Sequence, residues 1–139
     1  MRKEIILSKI NEIEESITLI VDNMPDDFEE FENLGLLKDC IYKRIQYIIE
    51  NILDICAIIN SDMKISSPGE EDDIIDNLVK NKLLSQSIGK KIKELKGFRN
   101  IIIRRYGKID DKLSFELIKE NLGDFDKIIE RVKDIVSNN

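Results

Sequence analysis

Isoleucine and other apolar residues recur along this chain every three or four positions, which is the spacing of an amphipathic helix. The pattern is regular in four long segments and one short segment. The long segments predict helices at about Lys3 to Asn23, Leu37 to Ser61, Ser85 to Arg105, and from Asp110 onward. The short segment predicts a helix at Glu71 to Lys80.

The second long segment shows the pattern most clearly, because its isoleucines alternate in steps of four and three: Ile41, Ile45, Ile48, Ile52, Ile55 and Ile59. Such seams favour helices that pack nearly antiparallel, at roughly +20°. β-Branched isoleucine is only a modest helix former, so packing must stabilise these helices. We expect an all-α fold, an up-down antiparallel bundle of four long helices plus one short helix, in one domain over residues 1–139.

Turn and cap residues set the boundaries of these helices. Met24-Pro25 ends the first helix, and an acidic connector at residues 26–32 has room for one helical turn. Residues 66–69 form a loop, Ser85 is a candidate N-cap, Gly107 ends the third long helix, and Asp110 opens the last.

Several kinds of site are disfavoured by composition. The chain has no histidine and two cysteines, Cys40 and Cys56, which lie about 24 Å apart on one predicted helix and cannot pair with each other. We expect Cys56 to pack as a small apolar residue, and we expect no metal site and no cofactor. No apolar run approaches 18 residues, and the N-terminus lacks a secretory leader, so we expect a cytoplasmic protein without a membrane span.

The net charge of −6 would argue against a nucleic-acid binder, yet the charges are unevenly spread. Eight cations lie between Lys90 and Lys108 against a single acid, Glu94, whereas acids gather at residues 22–32 and 70–73. Charges within about 8–10 Å dominate a local field, so such a surface can hold a phosphodiester. The alternative is a solvated helix face, which we expect for Lys90, Lys91 and Lys93.

Arg99 is the polar residue that departs most from the helical pattern. The apolar seam of its helix runs through Ile92 and Leu95 and resumes at Ile102. Arg99 therefore occupies a position at which the pattern predicts a core residue. A guanidinium there is costly unless it is paired, lies at a wet interface or binds an anion. The alternative is that the helix leaves the core and Arg99 is an ordinary surface residue. Tyr106 falls on the same seam two turns later.

The segment Gly97-Phe98-Arg99-Asn100 through Tyr106-Gly107-Lys108-Ile109-Asp110 resembles the signature segment of the HepT-like branch of the HEPN superfamily. The resemblance extends over about Leu36 to Glu130. Proteins of this family are small helical bundles that dimerise around a shared cleft. They are metal-independent endoribonucleases that act as toxins. Their usual partner is a small nucleotidyltransferase, MNT, which serves as the antitoxin and transfers AMP onto the toxin. The resemblance implies a homodimer, an RNA substrate or ligand, and an MNT-type partner.

The family motif is Arg, four to six residues, His, and then Tyr two residues after the His. On this chain the resemblance assigns catalytic positions to Arg99, Asn100 and Arg104, where Arg104 occupies the histidine position, and the AMP acceptor to Tyr106. The RNA phosphates would contact a set of cations: Lys96, Arg99, Arg104, Arg105 and Lys108.

Arg104 bears directly on the chemistry. Arginine stays protonated and cannot act as the general acid or base that histidine provides, and losing such a group typically lowers a rate by about 10²–10⁴. Three readings stay open: a toxin with weakened or abolished ribonuclease activity, a non-catalytic module that binds RNA or the nucleotidyltransferase, and a substitution at Arg104 that is not native. A structural helical protein without an RNA role is a further alternative.

Overall fold

A computed structural model describes residues 1–67, 69–103 and 109–139. In these residues the chain forms helices and no strand: α1 Lys3–Asn23, α2 Phe28–Glu32, α3 Leu36–Asp62, α4 Glu71–Lys80, α5 Gln86–Ile103 and α6 Asp111–Ser137. The predicted all-α fold is confirmed. The short helix α2 lies in the acidic connector, where the sequence has room for one helical turn. In the described part of the chain, no helix is both long and apolar enough to cross a membrane.

The long helices alternate in direction. Arg2 pairs with Asp62 and Lys9 pairs with Asp54, so the start of α1 lies beside the end of α3. Helices α1 and α5 each contact both α3 and α6, so the four long helices close a ring around the core. This is the up-down order that the sequence predicts, and it brings the end of α5 and the start of α6 to one end of the bundle.

Isoleucine fills most of the space between the helices. The six isoleucines of the α3 seam are each at most 2 % exposed. Such residues contribute through burial, at about 25 cal/mol per Å² of apolar surface removed from water. Cys56 is also buried, as expected, whereas Cys40 is exposed.

Helix α2 covers the end of the bundle at which α3 and α6 begin. Its Phe31 is fully buried, with its ring centroid 5.9 Å from that of Tyr42 and 5.3 Å from that of Phe115. The sequence allows one helical turn in this connector, and the burial of the apolar Phe31 explains why the turn folds onto the core.

Side-chain caps fix two helix starts. Ser85 Oγ accepts a hydrogen bond from the Ile88 amide at 3.1 Å, and Asp110 Oδ1 accepts one from the Leu113 amide at 3.1 Å. Both caps satisfy amides that the first helical turn leaves without partners. The predicted starts of the third and fourth long helices are therefore confirmed.

The short helix α4 packs against α3 and α5, and a glycine permits its close approach to α5. A Cβ atom at Gly89 would lie 2.5 Å from Val79 Cγ2, a distance that real contacts do not reach. The buried residues Ile75 and Leu78 attach α4 to the core. This packing sets α4 alongside the basic face of α5.

Candidate functional site

Arg99 lies near the end of the described α5, one residue before its last turn, at the edge of the core. The seam position that the sequence assigned to residue 99 is filled by its neighbour Phe98, which is 3 % exposed. The Arg99 side chain is 15 % exposed and reaches toward α4. Arg99 is therefore neither a core residue nor an ordinary surface residue.

The guanidinium of Arg99 is paired with Glu71, the first residue of α4. Nη1 donates to Glu71 Oε2 at 3.2 Å, and Nη2 donates to Glu71 Oε1 at 3.0 Å. Nη2 also donates to the side-chain oxygen of Asn100 at 3.3 Å. Arg99 Nε is buried and has no hydrogen-bond acceptor among the described residues. Of the conditions that allow a guanidinium on a helix seam, pairing is the one found here.

Sequence reasoning missed Glu71, although the spacing of the charged residues on α4 and α5 indicates the contact. Lys96 binds Asp72 at 3.0 Å, and Lys93 binds Asp76, in step with the pair at Arg99. The acids follow one another along α4 in the order opposite to their partners on α5, as an antiparallel helix pair requires. Matching the two charge series across the loop would have indicated these contacts.

The segment from Lys90 to Lys108 contains a single acidic residue in its own sequence, but acidic side chains from α4 and α6 contact it in the structure. Lys91, expected to be solvated, binds Asp124 of α6 at 3.2 Å and Glu94 at 3.4 Å. The hydrogen bond to Asp124 raises the pKa of Lys91, and the hydrogen bond to Asp76 raises the pKa of Lys93. The surface is therefore less positive than its own sequence suggests.

A second polar cluster lies where α3 and α6 begin. Lys38 Nζ donates to Asp111 Oδ2 at 2.8 Å, and the Tyr42 hydroxyl donates to Asp111 Oδ1 at 2.5 Å. Burial raises the pKa of Tyr42 well above its usual range, and the bond to Asp111 adds to the effect. The cluster fixes α6 directly after the signature segment. Sequence reasoning did not identify this contact.

Only part of the predicted site falls within the described residues. Lys96, Arg99 and Asn100 lie together at the end of α5. Arg104, Arg105, Tyr106 and Lys108 lie outside the described residues, as do the predicted end of α5 at Arg105 and the terminating Gly107.

The chemistry available at Arg99 is anion binding. Its two-point contact with Glu71 has the geometry with which a guanidinium also holds a phosphate. Lys96, one turn earlier on α5, adds a second cation near this point. The described part of the site therefore resembles a phosphate-binding surface that an internal carboxylate now occupies.

Comparisons with known proteins identify the family and the fold of the chain. A family model described as ribonuclease HepT-like matches residues 11–132. The chain is 26% identical over 130 residues to the mRNA nuclease HepT of Shewanella oneidensis, covering 94% of this chain and 97% of that protein.

Solved structures give the same result for the fold. The tri-AMPylated Shewanella oneidensis HEPN toxin, solved in complex with an MNT antitoxin, matches with a TM-score of 0.83 at 26% identity, covering 94% of this chain and 97% of that one. YutE of Bacillus subtilis, a cytosolic protein of unknown function, shares the fold with a TM-score of 0.83 at 20% identity, covering 99% of this chain and 92% of that one.

The family match begins within α1 and ends within α6, so it includes the whole of α3 to α5 and the Arg99-Asn100 segment. A match over most of the chain, with the same helical bundle in a solved relative, establishes membership. The protein belongs to the HepT-like ribonuclease family.

Proposed function

We propose that this chain is the toxin of a HepT/MNT-type toxin–antitoxin pair, a metal-independent endoribonuclease whose activity is weakened or abolished by Arg104. The observation that carries the proposal is the family match across the bundle, which includes Arg99 and Asn100. Similarity to an mRNA nuclease and to a HEPN toxin bound to an MNT antitoxin supports it.

Metal-free RNA cleavage needs a base for the 2′-hydroxyl proton, an acid for the leaving 5′-oxygen, and a cation for the charge on the phosphorane. Arg99 suits the last of these roles, because its fork of N–H groups matches phosphate oxygens. Asn100 contacts the same guanidinium and orients it. Arg104 adds positive charge but cannot exchange a proton near neutral pH.

A ribonuclease assay in the presence of a chelator tests this proposal. The chain as it stands should cleave RNA very slowly or not at all. Arg104→His should raise the rate by about two to four decades, the usual contribution of a positioned acid–base group. Arg99→Ala in the Arg104→His background should remove the gain, whereas Lys127→Ala, at an exposed position on α6, should not. Rapid cleavage by the unaltered chain would mean that the acid–base group lies elsewhere.

The second part of the proposal concerns the partner. A cognate MNT-type nucleotidyltransferase transfers AMP from ATP to the Tyr106 hydroxyl and releases pyrophosphate. The phosphate of the attached AMP is held by Arg99, Arg104 and Arg105, which closes the site to RNA. Intact-mass spectrometry after incubation with the enzyme, ATP and Mg²⁺ should show the adduct. Tyr106→Phe should abolish it, and an adduct that survives this change would place the acceptor elsewhere.

The third part is a homodimer that brings two Arg99 side chains to one cleft. The end of α5 and the start of α6 present apolar side chains outside the core: Ile101 is 40% exposed, Ile103 46% and Leu113 42%. Exposed apolar groups next to a polar site are typical of interfaces. Light scattering at micromolar concentration should give the mass of a dimer, and Ile103→Glu should lower it. A monomer at these concentrations would refute this part.

The alternative is a non-catalytic module that binds RNA or the nucleotidyltransferase. Arg104 favours it, because the sequence contains no histidine to replace the missing one. In that case Arg104→His would not cleave RNA, although Arg99→Ala would still weaken RNA binding.

A further inference from the structure

Glu71 occupies the part of Arg99 that a phosphate would use. The two terminal nitrogens of the guanidinium form its end-on edge, and each donates to a separate oxygen of Glu71. A phosphodiester held by the same edge would present two oxygens at the same positions. Carboxylate and phosphate therefore cannot hold this edge together.

The other two-donor edge of Arg99 is not open either. That edge includes Nε, which is buried and finds no acceptor within residues 1–67, 69–103 and 109–139, and Nη2, which already donates to Asn100. An incoming phosphate can gain a two-point contact only if Glu71 leaves. The binding capacity of Arg99 is consequently masked in the described structure.

Release of Glu71 requires movement of one side chain rather than of a helix. Glu71 is 40% exposed and is the first residue of α4, so its carboxylate can turn into water. Helix α4 stays attached through Ile75 and Leu78, which are buried, and through the contact of Val79 with Gly89. Asp72 and Lys96 form a separate pair beside it, at 3.0 Å.

We propose that Glu71 is an internal competitor for the anion site at Arg99, and that phosphate binds by exchanging with its carboxylate. The identification of the anion as an RNA phosphodiester rests on the proposed function, whereas the exchange itself applies to any phosphate. Competition by Glu71 sets a minimum affinity for binding at Arg99, because an anion that binds weakly does not displace a carboxylate held by two hydrogen bonds.

Two neighbouring substitutions test the proposal in the full-length chain. Glu71→Gln removes the competing charge with little change in shape. Glu70→Gln removes the same charge one residue away, at an exposed cap position whose side chain makes no capping hydrogen bond. Affinity for a short single-stranded RNA is measured by fluorescence anisotropy. Affinity for inorganic phosphate is measured from the NMR signal of Arg99 Nε–H, assigned with Arg99→Lys.

Glu71→Gln should tighten binding of both probes by about three- to thirtyfold, the range expected for loss of a competing charge-assisted hydrogen-bond pair. Glu70→Gln should tighten it less than about twofold, because it acts only through screened, longer-range charge. Glu71→Asp keeps the charge but shortens the reach, so it should give an intermediate gain. This variant separates the effect of contact from the effect of net charge.

Several results would overturn the inference. Unchanged or weaker phosphate binding in Glu71→Gln would show that Glu71 positions Arg99 rather than competes for it. Equal gains from Glu70→Gln and Glu71→Gln would reduce the effect to net charge. A Glu71→Gln chain that binds phosphate more tightly but does not bind RNA would support the competition by Glu71 and contradict the proposed RNA function. Circular dichroism checks that each variant is folded. If Glu71→Gln does not fold, Glu71→Asp is used to test the proposal instead.

Discussion

The Tyr42 hydroxyl donates a 2.5 Å hydrogen bond to Asp111, a residue 69 positions later, and so joins the start of α3 to the start of α6. Lys38 binds the other carboxylate oxygen of Asp111 at 2.8 Å. Because Phe31 of α2 packs against the Tyr42 ring, one carboxylate and one aromatic ring connect three helices at this end of the bundle.

Loss of Asp111 should cost more stability than loss of the Tyr42 hydroxyl. Tyr42→Phe removes one hydrogen bond to a charged acceptor, worth about 1.5–3 kcal/mol, and leaves the pair between Asp111 and Lys38. Asp111→Ala removes the same hydrogen bond and also the ion pair with Lys38, which keeps only a 3.3 Å hydrogen bond to the Glu32 carbonyl. The Tyr42 hydroxyl is then left without its acceptor, and an unsatisfied buried donor costs about 1–3 kcal/mol. Urea denaturation of both single variants and the double variant measures the coupling. Strictly additive losses would show that the contact contributes nothing in solution.

The approach of α4 to α5 can be tested at Gly89. Gly89→Ala places a methyl group against Val79 Cγ2. Overpacking costs about 1–3 kcal/mol, whereas alanine is favoured over glycine within a helix by about 0.5–1 kcal/mol. The expected result is therefore a net loss of stability. Gly123→Ala is the control, because a Cβ there meets nothing within 4 Å and should stabilise the chain.

Val79→Ala combined with Gly89→Ala should recover part of that stability by making room for the new methyl group. Thermal unfolding monitored by circular dichroism ranks the variants. A Gly89→Ala chain as stable as Gly123→Ala would mean that α4 shifts away from α5 without cost.

Acid should weaken the contact between the start of α1 and the end of α3. Hydrogen bonds from Arg2 hold the pKa of Asp62 down at about 2, against an ordinary value of 3.8. A carboxyl whose pKa is lower in the folded than in the unfolded state stabilises the fold fully at pH values above its unfolded-state pKa. This contribution is lost as the pH falls through the folded-state pKa. The stability difference between the parent chain and Asp62→Asn should therefore be full near neutral pH and shrink from about pH 4 to pH 2.

The control for this experiment is Asp54→Asn at the neighbouring pair with Lys9. Its carboxylate is 60% exposed, compared with 16% for Asp62, and its single contact is longer, at 3.2 Å. Exposed pairs contribute little, so this change should alter stability less at every pH. A difference for Asp62→Asn that persists unchanged at pH 2 would contradict the assignment to Arg2.

The parts of the fold that sequence reasoning predicted are those set by local rules. The α3 seam follows from helical periodicity, and the caps at Ser85 and Asp110 follow from the amides at a helix start. At Arg99 periodicity failed by one residue, because a helix has 3.6 residues per turn and Phe98 can serve the same face.

The contacts that sequence reasoning missed are those that depend on how helices meet. Glu71 lies 28 residues before Arg99, and only the direction and register of α4 on α5 bring the two together. The contact of Tyr42 with Asp111 likewise needs α3 and α6 to begin at the same end of the bundle. Neither follows from spacing within one helix.

The carboxylate at Glu71 also affects how RNA binding responds to salt. A phosphate neutralised on single-stranded RNA releases about 0.7 of a condensed cation, which is why such binding weakens as salt rises. A phosphate that takes the place of Glu71 at Arg99 frees a carboxylate, and that carboxylate attracts a cation back from solution. Uptake on the protein opposes release from the RNA, so affinity falls less steeply with salt than the number of phosphate contacts implies. Glu71→Gln has no carboxylate to free, and its affinity should fall more steeply.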